Sequence, residues 1–325
     1  DNTGRWGFAS GINDSSVVTK AVFFDDAIVA RSDDTGTAPT PIPGGTSANW
    51  SDFILRRVFV DHTGSHFYWL GSLGTTDLAA SDNVGLAEEG QPLPGGLGGG
   101  AIAQSFFSGW LDPGGAWYLR ATFADVGNND FVLRNGAIVA QGNQPITPAS
   151  TDLWSRVSAT STVNGFQFTV GNGRGDYVIG GSTVDPSGSV RSIAVVLNGQ
   201  TVVARGGDPI HGNGNGLDDD NMYLKALKSE TGPGTAFLTD DGWLWMVVSV
   251  GNDAGTTLGD AIIRKRVFTP CAADFNRDGS VSVQDIFDFL AAYFSQDPRA
   301  DFNGAGGVTV QDIFDYLGAY FLGCA

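Results

Sequence analysis

The chain has 325 residues and a formal net charge of −17, from 35 acidic and 18 basic side chains. Nucleic acids and anionic membrane surfaces require clustered Lys and Arg, so this balance argues against both kinds of partner. No apolar run is long enough to span a membrane. The 47 glycines and the length indicate a turn-rich β protein that can bury a sizeable core.

A strand-like segment followed by a Gly- and Pro-containing turn recurs along residues 1–268. Its four clearest copies align on an alanine, and these alanines are Ala30, Ala87, Ala140 and Ala204. Their spacings of 57, 53 and 64 residues are typical of a propeller or solenoid repeat. Residues 262–265, which precede Pro270, give a fifth copy.

A turn containing Asp and Gly precedes an aromatic strand at residues 61–69, 112–118 and 240–245. Glycine permits the positive φ of tight turns, so these segments indicate β-hairpins. Four short strands per 53–64 residues are typical of one propeller blade. We therefore expect a mainly β fold, a five-bladed β-propeller over residues 1–268, with six blades or a β-solenoid as alternatives.

The first and fifth repeats are incomplete. Residues 5–31 lack the opening hairpin, and residues 232–268 lack a clear final strand. The ring could close if the two chain ends shared strands, which would remove exposed sheet edges. The repeats resemble the propeller-like repeats of secreted planctomycete proteins, whose units end in a similar turn, and this resemblance implies no catalytic residues.

A different pattern begins near the C-terminus, where oxygen-bearing residues have the spacing of an EF-hand loop. A hard cation such as Ca²⁺ takes six to eight oxygen ligands, and this spacing wraps them round one point. Gly279 stands at loop position 6, where the backbone must turn sharply. The predicted donors at positions 1, 3, 5, 7 and 12 are Asp274, Asn276, Asp278, the Ser280 carbonyl and Asp285.

The same pattern returns 27 residues later, and only six of the 21 positions differ between residues 274–294 and 301–321. The predicted donors of this second loop are Asp301, Asn303, the Gly307 carbonyl and Asp312. Position 5 is Ala305, so one carboxylate is missing. We therefore expect two Ca²⁺ ions, the second bound more weakly or with water in place of that ligand.

Two such loops, each followed by one helix, resemble a type I dockerin over residues 271–325. The resemblance implies a small α-helical calcium-binding domain in a secreted protein that docks to a cohesin-like domain of another extracellular protein. Because the chain carries no such domain itself, a second copy of this chain is the other candidate partner. Its only other large surface is the β-repeat region.

The only two cysteines, Cys271 and Cys324, bracket this segment. We interpret them as a disulfide clasp between the ends of the domain, with two free thiols as the alternative. Stable disulfides form in oxidising compartments, so the clasp agrees with secretion. Residues 269–271 then form a short linker between the two domains.

The helices that follow the loops carry more apolar residues than one buried face can use, so some aromatic side chains should remain on the surface. Exposed aromatic residues on a rigid helix suit a protein interface. The candidate interface residues are Phe287, Phe289, Tyr293, Phe294, Phe314, Tyr316, Tyr320 and Phe321.

Signals for catalysis are weak. Glu88 and Glu89 could serve as the carboxylates of a glycosidase, but they lie in the repeating turn, where a structural role is the simpler interpretation. The three histidines lack the spacing of a zinc site. Residues 218–220 form an acidic loop that could hold a third Ca²⁺ or be a solvated insertion.

These patterns favour a secreted, non-enzymatic protein of extracellular assembly or adhesion, able to form a filament if its C-terminal domain binds the propeller of another copy. The rival hypotheses are a carbohydrate-active enzyme or a polysaccharide-binding propeller, anchored to a complex through the dockerin-like domain. Reducing-sugar release from a polysaccharide panel would distinguish the enzyme from the other two.

Overall fold

The computed structural model describes most of the chain. The described residues are 4–14, 17–32, 50–53, 58–61, 63–73, 76–82, 84–93, 103–123, 130–155, 165–213, 217–218, 220–228, 235–268, 271–276 and 280–323. The chain forms two compact units. Unit 1 comprises Asp1–Leu238 and Leu244–Lys265, and unit 2 comprises Thr239–Trp243 and Arg266–Ala325. The predicted linker residues Thr269 and Pro270 lie outside the described part.

Unit 1 is built of antiparallel β-sheets, five of them within the described residues. The first sheet contains β1 (Gly7–Asp14), β2 (Val17–Phe24) and β3 (Ala27–Arg31). The second contains β4 (Val58–Val60), β5 (Phe67–Leu73), β6 (Thr76–Ser81) and β7 (Val84–Glu88). The third contains β8 (Ala103–Leu111), β9 (Trp117–Phe123), β10 (Asp130–Arg134) and β11 (Ala137–Gln141).

The fourth and fifth sheets begin with two short strands that pair with the same long strand. The fourth contains β12 (Leu153–Trp154), β13 (Phe166–Gly171), β14 (Tyr177–Val184), β15 (Val190–Leu197) and β16 (Thr201–Arg205), with β12 and β13 both on β14. The fifth contains β17 (Tyr223–Leu227), β18 (Ala236–Leu238), β19 (Trp243–Gly251) and β20 (Thr257–Arg266), with β17 and β18 both on β19.

The last strand of each of the first four sheets is the segment on which the repeats were aligned. In β3, β7, β11 and β16 the aligned alanine is buried, and the flanking positions have nearly the same exposure. The fifth copy is a wrong assignment. Residues 262–265 lie in β20, which pairs with β19 as β15 pairs with β14, so they belong to the strand before the alanine strand.

In the second to fifth repeats, the first hairpin is closed by a side chain that accepts a backbone hydrogen bond. Asp112 Oδ1 accepts from the Ala116 N–H at 2.8 Å, and Asn172 Oδ1 accepts from the Asp176 N–H at 2.9 Å. Thr239 and Asp61 do the same in their turns. In all four turns a glycine with positive φ directly precedes the residue whose N–H donates this bond, which explains the Asp/Gly signal in the sequence.

The next hairpin uses Asp or Asn at a positive φ, a conformation these two residues tolerate better than other non-glycine residues. The residues are Asp25, Asp82, Asn135 and Asn198, with φ between 47° and 52°. Each directs Oδ1 to the backbone N–H of an aromatic residue where the preceding strand starts. These aromatic residues are, in the same order, Trp6, Phe67, Trp117 and Tyr177.

The sheets pack face to face in chain order. Side chains of the first sheet, such as Phe24, form one buried cluster with Phe67 and Trp69 of the second sheet. Tyr68 and Leu70 point to the other side, into a cluster with the third sheet. The first and fifth sheets are hydrogen-bonded as separate sheets, so the expected sharing of strands between the chain ends is not observed among the described strands.

Unit 2 contains α1 (Val283–Phe294), a 3₁₀ turn (Pro298–Ala300) and α2 (Val310–Leu322). Ser282 caps α1, and its N–H donates to Asp285 Oδ2 at 2.8 Å. At the start of α2, the Thr309 N–H donates to Asp312 Oδ2, also at 2.8 Å. Each helix therefore begins with a capping box, formed by Ser282 and Asp285 in α1 and by Thr309 and Asp312 in α2.

The closing bond of the first hairpin can be tested at Asp112, which is buried. Asp112→Ala leaves the Ala116 N–H without its acceptor and should lower the free energy of unfolding by about 1–3 kcal/mol. Asp112→Asn should lower it less, because the fourth sheet uses Asn172 at the same place. Urea unfolding measures both; equal losses would contradict the assigned role of Oδ1.

A second prediction concerns His66, whose Nδ1 lies 2.6 Å from Asp82 Oδ2. Its hydrogen bond to Asp82 raises the pKa of His66 above its ordinary 6.5. The pair therefore stabilises the fold fully below pH 6.5, and the effect is lost as pH rises through the raised pKa. The effect on stability should be small because both side chains are partly exposed.

The matched variant is Asp82→Asn, which removes the charge and keeps the Oδ1 acceptor for the Phe67 N–H. An NMR titration of the imidazole should give a pKa above 6.5 in the unmodified chain and a lower one in the variant. Equal values in the two proteins would show that Asp82 does not control the charge of His66.

Candidate calcium-binding and docking site

The core of unit 2 is an aromatic cluster between the two helices. The rings of Phe289 and Tyr316 stack at 4.2 Å, and Phe275 and Phe302 meet them edge to face. The Tyr316 hydroxyl donates to the Ala273 carbonyl oxygen at 3.2 Å. This cluster joins the two loop–helix repeats into one small core.

Two of the predicted interface residues are therefore wrong assignments. Phe289 and Tyr316 are fully buried, because the stack between α1 and α2 needs one aromatic side chain from each helix. Tyr293 and Tyr320 are half-buried and pack against the edge of the same cluster. Their partly exposed surfaces adjoin the exposed side chains of the next turn of each helix.

The other four predicted interface residues are exposed to solvent. The exposed fractions are 60% for Phe287, 77% for Phe294, 64% for Phe314 and 80% for Phe321. Val283 and Val310 are exposed as well and open the two helices. The spacing is i, i+4 and i+11 in both helices, so each exposes a narrow apolar row on one face. We call these six residues the apolar rows.

The first candidate calcium loop holds Asp274 and Asp285, both buried. Asp285 accepts the Asn276 N–H at 3.1 Å through Oδ1 and the Ser282 N–H through Oδ2. The Ser282 hydroxyl also donates to Oδ2, at 3.2 Å. Each carboxylate oxygen has two lone pairs, so the remaining acceptor capacity of Asp285 for a cation lies on Oδ1. Ser280 is exposed at position 7, and Asp278 lies outside the described residues.

The second loop contains a buried oxygen without a partner. Asp301 Oδ2 accepts the Gly306 N–H at 2.9 Å, whereas Asp301 Oδ1 is buried and has no hydrogen-bond partner in the described structure. A buried, unpaired carboxylate oxygen is costly unless a donor or cation meets it. Gly306 has φ of 97°, which the sharp turn at loop position 6 requires.

The asparagine of each loop is tied to the helix that follows it. Asn276 Nδ2 donates to Asp288 at 3.1 Å, and Asn303 Nδ2 donates to Asp315 at 2.8 Å. In the second loop the Asn303 amide oxygen faces the loop, where it accepts the Ala305 N–H at 2.9 Å. The hydrogen bond from the Thr309 N–H lowers the pKa of Asp312 below its ordinary value, so this carboxylate is ionised at neutral pH.

Both loops offer carboxylate and amide oxygens, which are ligands that suit a hard cation. One of these oxygens, Asp301 Oδ1, is buried and unpaired in the described structure. Ser280 and Gly307, whose carbonyls are the predicted ligands at position 7, are exposed. Within the described residues, no three His, Cys, Asp or Glu side chains converge on one point. The second loop supplies only two carboxylates, as its Ala305 implies. The third carboxylate of the first loop would come from Asp278.

Cys271 is not a free thiol. The only other cysteine of the chain, Cys324, lies outside the described residues. The predicted clasp between the ends of the domain therefore stays a prediction.

The buried carboxylates of unit 1 have structural partners. Asp130 forms an ion pair with Arg120 at 2.6 Å; burial raises the pKa of Asp130, and Arg120 offsets part of that rise. Glu89 accepts the Asp77 N–H at 3.1 Å and thereby anchors the repeating turn, in agreement with its structural interpretation. The sequence contained no signal for the Asp130–Arg120 pair, because neither residue belongs to a motif.

The acidic loop at residues 218–220 is only partly described, because Asp219 lies outside the described residues. His211 Nδ1 lies 2.8 Å from the Leu217 carbonyl oxygen, and Asp220 accepts the Asn213 N–H at 3.2 Å. The third calcium site therefore stays a prediction.

The two described helices are too short and too polar to cross a membrane. Searches against protein-family models and against curated proteins found no match. Among solved structures, the chain is similar to PorZ, a surface component of the type-IX secretion system of Porphyromonas gingivalis. The identity is 15%, over 80% of this chain and 33% of that chain, with a TM-score of 0.30.

The chain is also similar to a GH43 glycoside hydrolase engineered for endo-xylanase and exo-arabinofuranosidase activity. Here the identity is 13%, over 81% of this chain and 48% of that chain, with a TM-score of 0.26. The chain thus spans about a third and about half of the lengths of these two proteins. At TM-scores this low, the likeness assigns neither an activity nor a family to this chain.

Proposed function

We propose that this chain is a secreted, non-enzymatic assembly or adhesion protein whose C-terminal unit is a calcium-dependent docking module. The observation that carries the proposal is the duplicated apolar row on α1 and α2. Four large aromatic side chains lie exposed on helices that begin directly at two oxygen-lined loops. Solvent-exposed aromatic residues in such density mark a surface that a partner protein covers.

Calcium would make this surface rigid. Each loop ends in the N-terminal cap of the helix that carries an apolar row, through Ser282 and Asp285 or Thr309 and Asp312. A cation bound by Asp285 or Asp312 therefore fixes the start of the helix. Without it, the carboxylates gathered in each loop repel one another, so metal binding and folding of unit 2 are coupled.

The partner we propose is another extracellular protein, with a cohesin-like domain or a second copy of this chain as the candidates. The five sheets of unit 1 would be the five blades of a propeller-like array, one for each predicted repeat. The buried acids of unit 1 support a scaffold role for this array, because Asp112 and Asp130 are engaged in turn closure and an ion pair.

If the two loops bind calcium, the affinity of the second loop should depend on the side chain at position 305. Calorimetric titration of metal-free protein with CaCl₂ should resolve two sites, with the second weaker. Ala305→Asp should tighten the second site by roughly tenfold, equivalent to about 1.4 kcal/mol, because it restores the missing carboxylate. Ala305→Asn adds an oxygen without a charge, so its affinity for the second ion should lie between those of the unmodified chain and of Ala305→Asp.

Chelation should reduce the helical circular dichroism signal, because metal binding and folding of unit 2 are coupled. A signal that does not change on addition of EDTA would refute the calcium sites.

Docking predicts a loss of binding when the apolar rows are interrupted. The double variant Phe287→Ser with Phe314→Ser should weaken calcium-dependent binding by roughly thirtyfold, as expected for removal of interface aromatic residues. The matched control, Gln284→Ser with Gln311→Ser, changes exposed polar residues of the same helices and should bind normally.

The measurement is binding of the full chain to a panel of immobilised cohesin domains, with sedimentation of the chain alone for self-binding. Both are run in Ca²⁺ and in EDTA. Binding that survives the phenylalanine changes, or binding that is equal in EDTA, would contradict the docking role of the apolar rows.

A further inference from the structure

We infer that the two end sheets of unit 1 carry complementary faces through which copies of this chain associate head to tail. This inference goes beyond the proposed docking module and uses different residues. It follows from the way in which each sheet of unit 1 contacts its neighbours.

Each interior sheet has two different apolar faces. In β5, Phe67 and Trp69 pack against the first sheet, and Tyr68 and Leu70 pack against the third. We call the side that contacts the preceding sheet the front face, and the side that contacts the following sheet the back face. Successive residues of a strand alternate between the two faces.

In the described part of the chain, no sheet packs on the front face of the first sheet. The turn bonds align Trp6 with Phe67, because both donate their N–H to the Asp of the next hairpin, and Phe8 then aligns with Trp69. Trp6 and Phe8 are 45% and 43% exposed, whereas Phe67 and Trp69 are 9% and 1% exposed.

The exposed rings of this face form an ordered stack. The rings of Trp6 and Phe8 lie 5.4 Å apart, and those of Phe8 and Phe23 lie 4.7 Å apart. Ile28, opposite Phe23 in the register, extends the same face. The front face of the first sheet is therefore a partly exposed apolar surface of Trp6, Phe8, Phe23 and Ile28.

No described sheet follows the fifth sheet, and large apolar side chains on its back face are exposed. Leu227 contacts the fourth sheet at Gly180, and Val248 lies directly opposite Leu227, so Val248 is on the front side. By strand alternation Leu244 and Met246 are on that side too, and both are buried.

Trp245 therefore belongs to the back face of the fifth sheet, and Phe237, directly opposite it in the register, shares that face. Both are exposed. With Ile262 they line a groove of about 320 Å³. Arg264 lies over the Trp245 ring at 5.7 Å.

The repeat itself indicates what covers these surfaces. The front face of the second sheet is covered by the back face of the first, and the second and third sheets meet in the same order. Gly171 of the fourth sheet lies beside Tyr118 of the third, and Leu227 of the fifth lies beside Gly180 of the fourth, so the order continues along the chain. Among the described sheets, the fifth alone has a back face with no following sheet, and the first alone has a front face with no preceding one. The matching occupant is a second copy: the groove around Trp245 receives the ring stack of Trp6 and Phe8 from the next molecule.

Such a contact joins two different surfaces, so it is heterologous and leaves one free face of each kind at the two ends of every oligomer. The chain carries a net charge of −17, so copies repel one another at low ionic strength. Association should therefore increase with salt concentration, as screening removes the repulsion and apolar contact remains.

The test is a complementation experiment with full-length protein in sedimentation velocity. The front variant carries Trp6→Ser and Phe8→Ser, and the back variant carries Phe237→Ser and Trp245→Ser. The unmodified chain should form dimers and longer species at high NaCl. Each variant alone should stay monomeric, with a dissociation constant raised at least tenfold.

The mixture of the two variants should form dimers and nothing longer, because each variant retains one intact face. A back variant that dimerises alone would show a symmetric contact and overturn the inference. An unmodified chain that stays monomeric at all concentrations and salt levels would overturn it as well, and would leave contact between the end sheets of one molecule as the explanation for the exposed faces.

Two controls and one pair of replacement variants make the outcome specific. Val84→Ser with Val190→Ser removes exposed apolar side chains from interior sheets and should associate normally. If a serine variant fails to fold by circular dichroism, Ile28→Lys and Ile262→Lys replace the front and back variants. Phe287→Ser with Phe314→Ser should leave this association intact, which separates it from failure of the docking module.

Discussion

The hydrogen bond from an aromatic residue's N–H to Asp25, Asp82, Asn135 or Asn198 is the constraint on which unit 1 depends. It holds the start of one strand against the hairpin at the end of the next, and so fixes their register. A shift of one residue would exchange the two faces of a sheet. In β5 such a shift would exchange Trp69 and Leu70 between two different cores. These small polar contacts therefore decide which large apolar side chains meet.

The elements that could be predicted from the sequence are those whose structure depends on residues close to one another in the chain. The hairpins were visible because Gly and Asp have conformational preferences that act within four residues, and Asp112 and Gly115 occupy the turn they indicate. The alanine of the first four repeats could be identified because it recurs before a Gly- and Pro-containing turn, and in all four strands it is buried. The mainly β fold followed from both signals together.

The elements that could not be predicted depend on contacts between distant residues. Residues 262–265 look like an alanine strand, yet pairing with β19 makes them the strand before it. Phe287 and Phe289 are both phenylalanines of α1, so the residue type does not distinguish them. The position of α2 decides that Phe289 is buried and Phe287 is exposed. The ion pair of Arg120 and Asp130 joins two neighbouring strands, and the local sequence of neither strand predicts it.

Unit 2 shows how a duplicated segment of the sequence can give two loop–helix repeats that share a fold but differ in the side chains of their loops. Both helices start in the same kind of capping box and expose the same apolar row, but Ala305 leaves the second loop with one carboxylate fewer. The buried Asp301 oxygen without a partner lies in this poorer loop.

The front and back faces of the sheets have a consequence for how such chains change in length. A repeat inserted between two sheets brings a front face and a back face of its own, and needs no compensating change elsewhere. The two end sheets are unaffected by such an insertion or by the loss of a whole interior sheet. Chains of this kind can therefore vary in sheet number by duplication while their terminal surfaces, set by Trp6 and Trp245, remain the same.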